Sequence, residues 1–191
     1  MKNILFIVSH LGSGYENLIY SLNKNERIDI KSLQLSYAHP EVLEYLYESG
    51  HKLDNSASFY GDLILFNKNF SCNSFYKFSK FIFFINSPLI SLNEICKTDK
   101  LNEKAAFRYY SFRLRRIYEM AVNSNNNFVF ITHDDLINKT KFDVIEKYLN
   151  LKSKLTYPEL ETNQSQNFIS SDLLIQANDC YEKYLFLMKS I

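Results

Sequence analysis

The chain has 191 residues, 46% of them hydrophobic and 23% charged, a length and balance that fit one globular unit and exclude a disordered or fibrous chain. Lysine and arginine number 22 against 21 aspartates and glutamates, so no global charge draws the chain to nucleic acid or to an anionic membrane, and any charge-based function is local. The three cysteines, Cys72, Cys96 and Cys180, are too few and too scattered for a disulfide framework or a paired zinc site, and read as reduced structural thiols.

In chain order, the apolar run from Ile4 to Val8 breaks at Ser9-His10-Leu11-Gly12-Ser13-Gly14 into a helical pattern carried by Leu18, Ile19 and Leu22. That run is too short for a secretory core or a membrane span, so a cytoplasmic protein with no membrane partner is expected. Ile28, Ile30, Leu33 and Leu35 predict a second strand, and Pro40 with Val42, Leu43, Leu46 and Tyr47 a helix ending near Gly50. Asp62 to Phe66 and Lys80 to Ile85 read as buried parallel strands, the first leading into Asn67-Lys68-Asn69 and the second into Asn86-Ser87-Pro88. An amphipathic stretch from about Asn102 to Val122 is followed by a polar break and the strand Phe128 to Ile131. Beyond Thr132-His133-Asp134-Asp135-Leu136, helices are predicted over Lys141 to Leu149 and from roughly Ser171 to Met188.

Strands alternating with helices, with no internal repeat and no second domain over 1–191, predict an α/β fold. It is a three-layer α/β/α arrangement on a mostly parallel sheet of roughly five strands, with ligands at the carboxyl ends of the strands. The first loop suits an anion: a strand leading through glycines into a helix leaves backbone N–H groups unpaired at the positive end of the helix dipole. The loop lacks the Gly-Lys-Ser/Thr ending of a nucleoside-triphosphate P-loop, which argues against a kinase or NTPase. The 14 tyrosines and 16 phenylalanines are assigned mainly to core packing, with Phe81, Phe83 and Phe84 on a buried strand, whereas Tyr37, Tyr60, Tyr109 and Tyr110 are left without a role.

Three segments in order resemble the sulfotransferase family. Phe6-Ile7-Val8-Ser9-His10-Leu11-Gly12-Ser13-Gly14 is similar to its 5′-phosphosulfate loop, with the Ser-Gly pair in place. Lys80 to Pro88 followed by a helix over Leu89 to Ile95 resembles the strand, Arg-x-Pro and helix that bind the nucleotide 3′-phosphate. Phe128 to Leu136, with Phe142, Val144, Ile145 and Leu149-Asn150-Leu151, resembles a strand, Tyr-Glu-Asp-Leu and a helix ending in Leu-Gly-Leu. The resemblance implies a sulfotransferase-like, P-loop-like fold and transfer of a sulfuryl group from 3′-phosphoadenosine 5′-phosphosulfate to a hydroxyl or amine of a small-molecule or glycan acceptor, with no metal.

The resemblance also implies a site. Ser9, Leu11, Gly12, Ser13, Gly14 and Tyr15 would cradle the 5′-phosphosulfate, with the backbone N–H groups of Gly12, Ser13 and Gly14 as donors, while Asn86 and Ser87 would lie near the 3′-phosphate. Lys68 would supply positive charge and His10 would act as general base. Both motif cations and the motif hydroxyls are replaced: the basic loop residue aligns with Gly12 and the 3′-phosphate arginine with Asn86, while the hydroxyl-bearing pair aligns with Tyr15 and Glu16 and a later serine with Glu94. Compensation is expected from Lys68 or from the helix carrying Arg108, Arg113, Arg115 and Arg116, of which part must solvate the helix exterior. His133 competes with His10 for the base, against a plain role filling the place of an aromatic, and Asp134 or Asp135 is expected to cap the short helix behind it; His39 and His51 sit beside a predicted helix. The alternatives are a catalytically inactive sulfotransferase-fold binding or assembly module and, further off, a nucleotide-dependent phosphotransferase.

Overall fold

The computed structural model describes residues 3–30, 59–65, 79–124, 127–157 and 169–191. The predicted helix ending near Gly50, together with Lys68, His39, His51, Tyr37 and Cys72, lies outside them.

Five strands form one sheet: β1 (Asn3–Val8), β2 (Ile28–Ile30), β3 (Phe59–Ile64), β4 (Lys80–Ile85) and β5 (Phe128–Thr132). Their order is β2-β3-β1-β4-β5, and every pairing is parallel. The helices are α1 (Tyr15–Asn23), α2 (Pro88–Thr98), α3 (Glu103–Asn123), α4 (His133–Ile137), α5 (Phe142–Leu149) and α6 (Ser171–Lys189).

Alternation along the strands builds both faces. Phe6, Val8, Phe81, Phe83 and Ile85 pack under α2, α3 and α6, while Leu5, Ile7, Ile82, Phe84, Val129 and Ile131 pack under α1, α4 and α5. The result is the three-layer α/β/α sandwich, with Phe81, Phe83 and Phe84 in the core as expected.

Because α1 leaves β1 toward one face and α2 leaves β4 toward the other, the connections part between these two neighbouring strands. A crevice at a topological switch point opens there, at the carboxyl ends. The third strand begins at Phe59, three residues before the predicted Asp62. It does so because β1 and β2 both offer a ladder from that point, pairing Asn3 and Ile28 with Phe59.

Candidate anion-binding site

The loop after β1 is shaped by two glycines in the left-handed region, Gly12 at φ +69° and Gly14 at φ +78°. A side chain at Gly12 is excluded twice over: a Cβ there would lie 2.5 Å from the Ser91 carbonyl oxygen in α2. The loop therefore rests directly on α2 and turns into α1 with Gly14 as its N-cap, without any side-chain cap.

Several of its polar groups are committed to holding this shape. The Ser9 N–H donates to the Ile64 carbonyl at 3.0 Å and the Ser13 N–H to the His10 carbonyl at 3.3 Å. The Leu11 N–H donates to the Tyr109 hydroxyl at 3.0 Å. Ser9 Oγ donates to the Phe84 carbonyl at 2.8 Å, so at the 2.7 Å contact between the two serine hydroxyls it is Ser13 that donates. No described residue accepts from the N–H groups of Gly12, Gly14, Tyr15 and Glu16. These four, rather than the expected trio with Ser13, are the donors the loop offers at the start of α1.

His10 is fully buried and bridges the two loops of the crevice. Its Nδ1 lies 2.8 Å from the Leu11 carbonyl, which places the proton there, and its Nε2 accepts from the Asn86 N–H at 3.2 Å. The ring stands edge-on to Tyr110 at 5.1 Å between centroids. Burial lowers its pKa to about 4, with nearby Arg113 adding to the fall against the Leu11 hydrogen bond. It is a neutral imidazole with both nitrogens engaged.

Asn86 is equally enclosed. Its amide Nδ2 donates to the Ser13 carbonyl at 3.1 Å and its Oδ1 accepts from the Ser87 N–H at 2.7 Å. Its carbonyl accepts from the Tyr110 hydroxyl at 2.8 Å. Ser87 lies at the N-cap of α2, with Pro88 at the first helical position.

Of the arginines on α3, one turns inward. Arg113, 2% exposed, donates through Nε to the Ser9 carbonyl at 2.8 Å and through an Nη to the Ile64 carbonyl at 2.7 Å, so it ties the carboxyl ends of β1 and β3 beneath the loop. Desolvation lowers its pKa to about 10, which leaves it charged. Arg108 is exposed, and Arg115 and Arg116 both pair with Glu119.

Tyr109, Tyr110 and Arg113 thus build the site although the sequence reading gave the tyrosines no role. The available signal was helical spacing: the buried stripe of α3 runs Ala106, Tyr110, Arg113, Leu114, Ile117 and Met120, and a cation inside an apolar stripe needs partners.

His133 opens α4 at the end of β5, on the other side of the loop. A Cβ on Gly14 would lie 3.2 Å from its Cδ2 and 3.3 Å from its Nε2, so the ring edge faces the loop. Its Nδ1 is buried without a partner, and burial lowers its pKa from the usual imidazole value. The cap of α4 is Thr132 rather than Asp134 or Asp135. Asp135 completes a capping box by accepting from the Thr132 N–H at 2.8 Å, and the Asp135 N–H donates to Thr132 Oγ1 at 3.3 Å. Lys141 pairs with the Asp135 carboxylate at 3.1 Å.

Among the described residues no helix is long and apolar enough to cross a membrane. Cys96 and Cys180 are free thiols.

No protein-family model and no curated protein matches the chain. Its structure is similar to that of the mouse sulfotransferase SULT7A1 complexed with PAP, with a TM-score of 0.57 and 11% identity over 98% of this chain and 85% of that one. At that identity the likeness concerns the fold, which is sulfotransferase-like. A dephospho-CoA kinase from Campylobacter jejuni aligns at a TM-score of 0.37 and 16% identity over 78% of this chain and 94% of that one, too low a score to bear on the fold.

Proposed function

We propose that the chain is a sulfotransferase-like protein that holds the 5′-phosphosulfate of 3′-phosphoadenosine 5′-phosphosulfate on the β1 loop. It passes the sulfuryl group to a hydroxyl or amine of a small-molecule or glycan acceptor. The observation that carries this reading is the set of four N–H groups without a partner among the described residues, at Gly12, Gly14, Tyr15 and Glu16, gathered by two left-handed glycines at the carboxyl ends of β1 and β4.

In an in-line displacement the acceptor atom bonds to sulfur as the bond from sulfur to the bridging oxygen breaks. The acceptor proton goes to a base and the leaving phosphate takes the electron pair. The loop N–H groups stabilise the charge developing on that oxygen. Lys68 is assigned the supporting cation from its place in the sequence, four residues past the end of β3.

His10 is assigned a positioning role, since its Nε2 lone pair already accepts from Asn86. His133 is assigned the base: it is held neutral by burial, and its Nε2 edge faces the loop at Gly14.

A binding module of the same fold is the second reading. It is supported by Arg113, which commits Nε and an Nη to the Ser9 and Ile64 carbonyls, so these donors are not offered to an anion on the loop.

Calorimetric titration of the purified chain with 3′-phosphoadenosine 5′-phosphate, against ATP with Mg²⁺, tests the proposal. Metal-independent binding of the bisphosphate is expected. Preference for ATP with Mg²⁺, or binding of neither, overturns it. Binding without sulfuryl transfer to any acceptor in a hydroxyl and amine panel favours the module.

A further inference from the structure

We infer that the site reads its nucleotide through the 5′ end and is nearly indifferent to a phosphate on the ribose 3′-oxygen, so that its ligand class is a nucleoside 5′-phosphosulfate or 5′-phosphate with or without a 3′-phosphate. This rests on the anion site proposed above, and deepens it by asking what the opposite wall of the crevice can hold.

The two walls are built differently. On the β1 side, four N–H groups have no partner among the described residues. On the β4 side, the first residue past the strand offers at most the second N–H of a buried, neutral amide. Asn86 is 1% exposed, its N–H is committed to His10 and its carbonyl to Tyr110, and its side chain is committed to Ser13 and Ser87.

The next donors along the chain are removed in turn. The Ser87 N–H is taken by Asn86 Oδ1, Pro88 has none, and the Ser91 N–H returns to the Ser87 carbonyl. What remains at the start of α2 is uncharged: the Ser87 hydroxyl, which makes no cap hydrogen bond, and the N–H pair of Leu89 and Ile90, whose apolar side chains are 43% and 42% exposed. Positions 86 to 90 carry no cation, and the partly exposed Glu94 stands one turn further along.

Strong selection for a phosphate needs a charge-assisted, bidentate contact of the kind a guanidinium supplies. A buried, neutral asparagine amide with one N–H already committed cannot supply one. The exposed Leu89 and Ile90 instead suit an uncharged ribose or base edge, whose burial is favoured by apolar contact.

The experiment is calorimetric titration of the whole chain, at one salt concentration and without metal, with adenosine 3′,5′-bisphosphate, 5′-AMP and 3′-AMP. The bisphosphate and 5′-AMP are expected to bind within about tenfold of each other, with 3′-AMP weaker than 5′-AMP by about tenfold or more. A bisphosphate preference beyond about tenfold over 5′-AMP overturns the inference while leaving the loop reading intact. So does 3′-AMP binding within about tenfold of 5′-AMP or tighter. If none of the three binds, the anion-site reading falls and this inference with it.

Discussion

Arg113 and Arg115 lie two residues apart on one helix and do opposite work. Arg113 is buried and bonded to the carbonyls that end β1 and β3, whereas the Arg115 side chain is 65% exposed and pairs with Glu119 one turn away. Residue type is the same, and only helical phase separates them: a two-residue step turns the side chain by roughly 200° about the helix axis. A guanidinium turned inward must satisfy itself on backbone, and in doing so fixes the floor of the anion loop. One turned outward stays hydrated and adds little.

The comparison is broken most severely at Arg113. Arg113→Met leaves the Ser9 and Ile64 carbonyls without these donors in a buried place, at about 1–3 kcal/mol each. A loss of about 3 kcal/mol or more is expected in urea denaturation. A change under about 0.5 kcal/mol would show that the inward arginine holds nothing.

Acid attacks the same floor through His10. Its folded pKa of about 4 lies below the 6.5 of a free imidazole, so between these values the unfolded chain binds more protons than the folded one. The stability held by the neutral ring is complete above about pH 6.5 and falls as pH drops toward 4, by roughly 3 kcal/mol in all. Denaturation midpoints measured across that window check this, and His10→Gln should flatten the slope.

A smaller effect is expected at the loop's close approach to α2. Gly12→Ala adds a Cβ 2.5 Å from the Ser91 carbonyl at a left-handed φ, for about 2 kcal/mol of stability. It should weaken 3′-phosphoadenosine 5′-phosphate at least about tenfold, because displacing the loop scatters its N–H groups. Unchanged affinity by titration would mean that this loop is not where the anion sits. Smallest of all, Arg115→Ala should cost under about 0.5 kcal/mol and leave ligand affinity alone, the value typical of an exposed i,i+4 pair.

Local pattern carried much of the architecture. The apolar runs at Ile4–Val8 and Lys80–Ile85 are strands because a parallel strand covered on both faces has no polar alternation to obscure it. The long helix predicted from about Asn102 forms over Glu103–Asn123 because its apolar stripe keeps the helical period and Asn102 caps it, accepting from the Ala105 N–H. The start of β3 was missed, since Phe59 is a strand residue by virtue of two neighbours rather than of its own flanks. The cap of α4 was misplaced by two or three residues for a related reason: Thr132, Asp134 and Asp135 are all good N-caps, and the end of β5 selects the first.

Ser9 to Gly14 could be read from sequence as a glycine-bearing turn between a strand and a helix, the kind of loop that suits an anion. Which of its N–H groups stay open could not. Ser13 is turned toward the His10 carbonyl and Leu11 toward Tyr109, a residue 98 positions away. The same holds for the histidines. Sequence favoured His10 as the base with His133 as its competitor, and only the packing of β4 and α3 against the first loop buried His10 with both nitrogens engaged while leaving the edge of His133 at Gly14. The sequence by itself determined the order of strands and helices and the glycine-bearing loop after β1, since these follow from periodicity and backbone stereochemistry along the chain. Tertiary structure alone decided which donors, which histidine and which arginine serve that loop, because hydrogen-bond partners and burial are set by residues far apart in the chain.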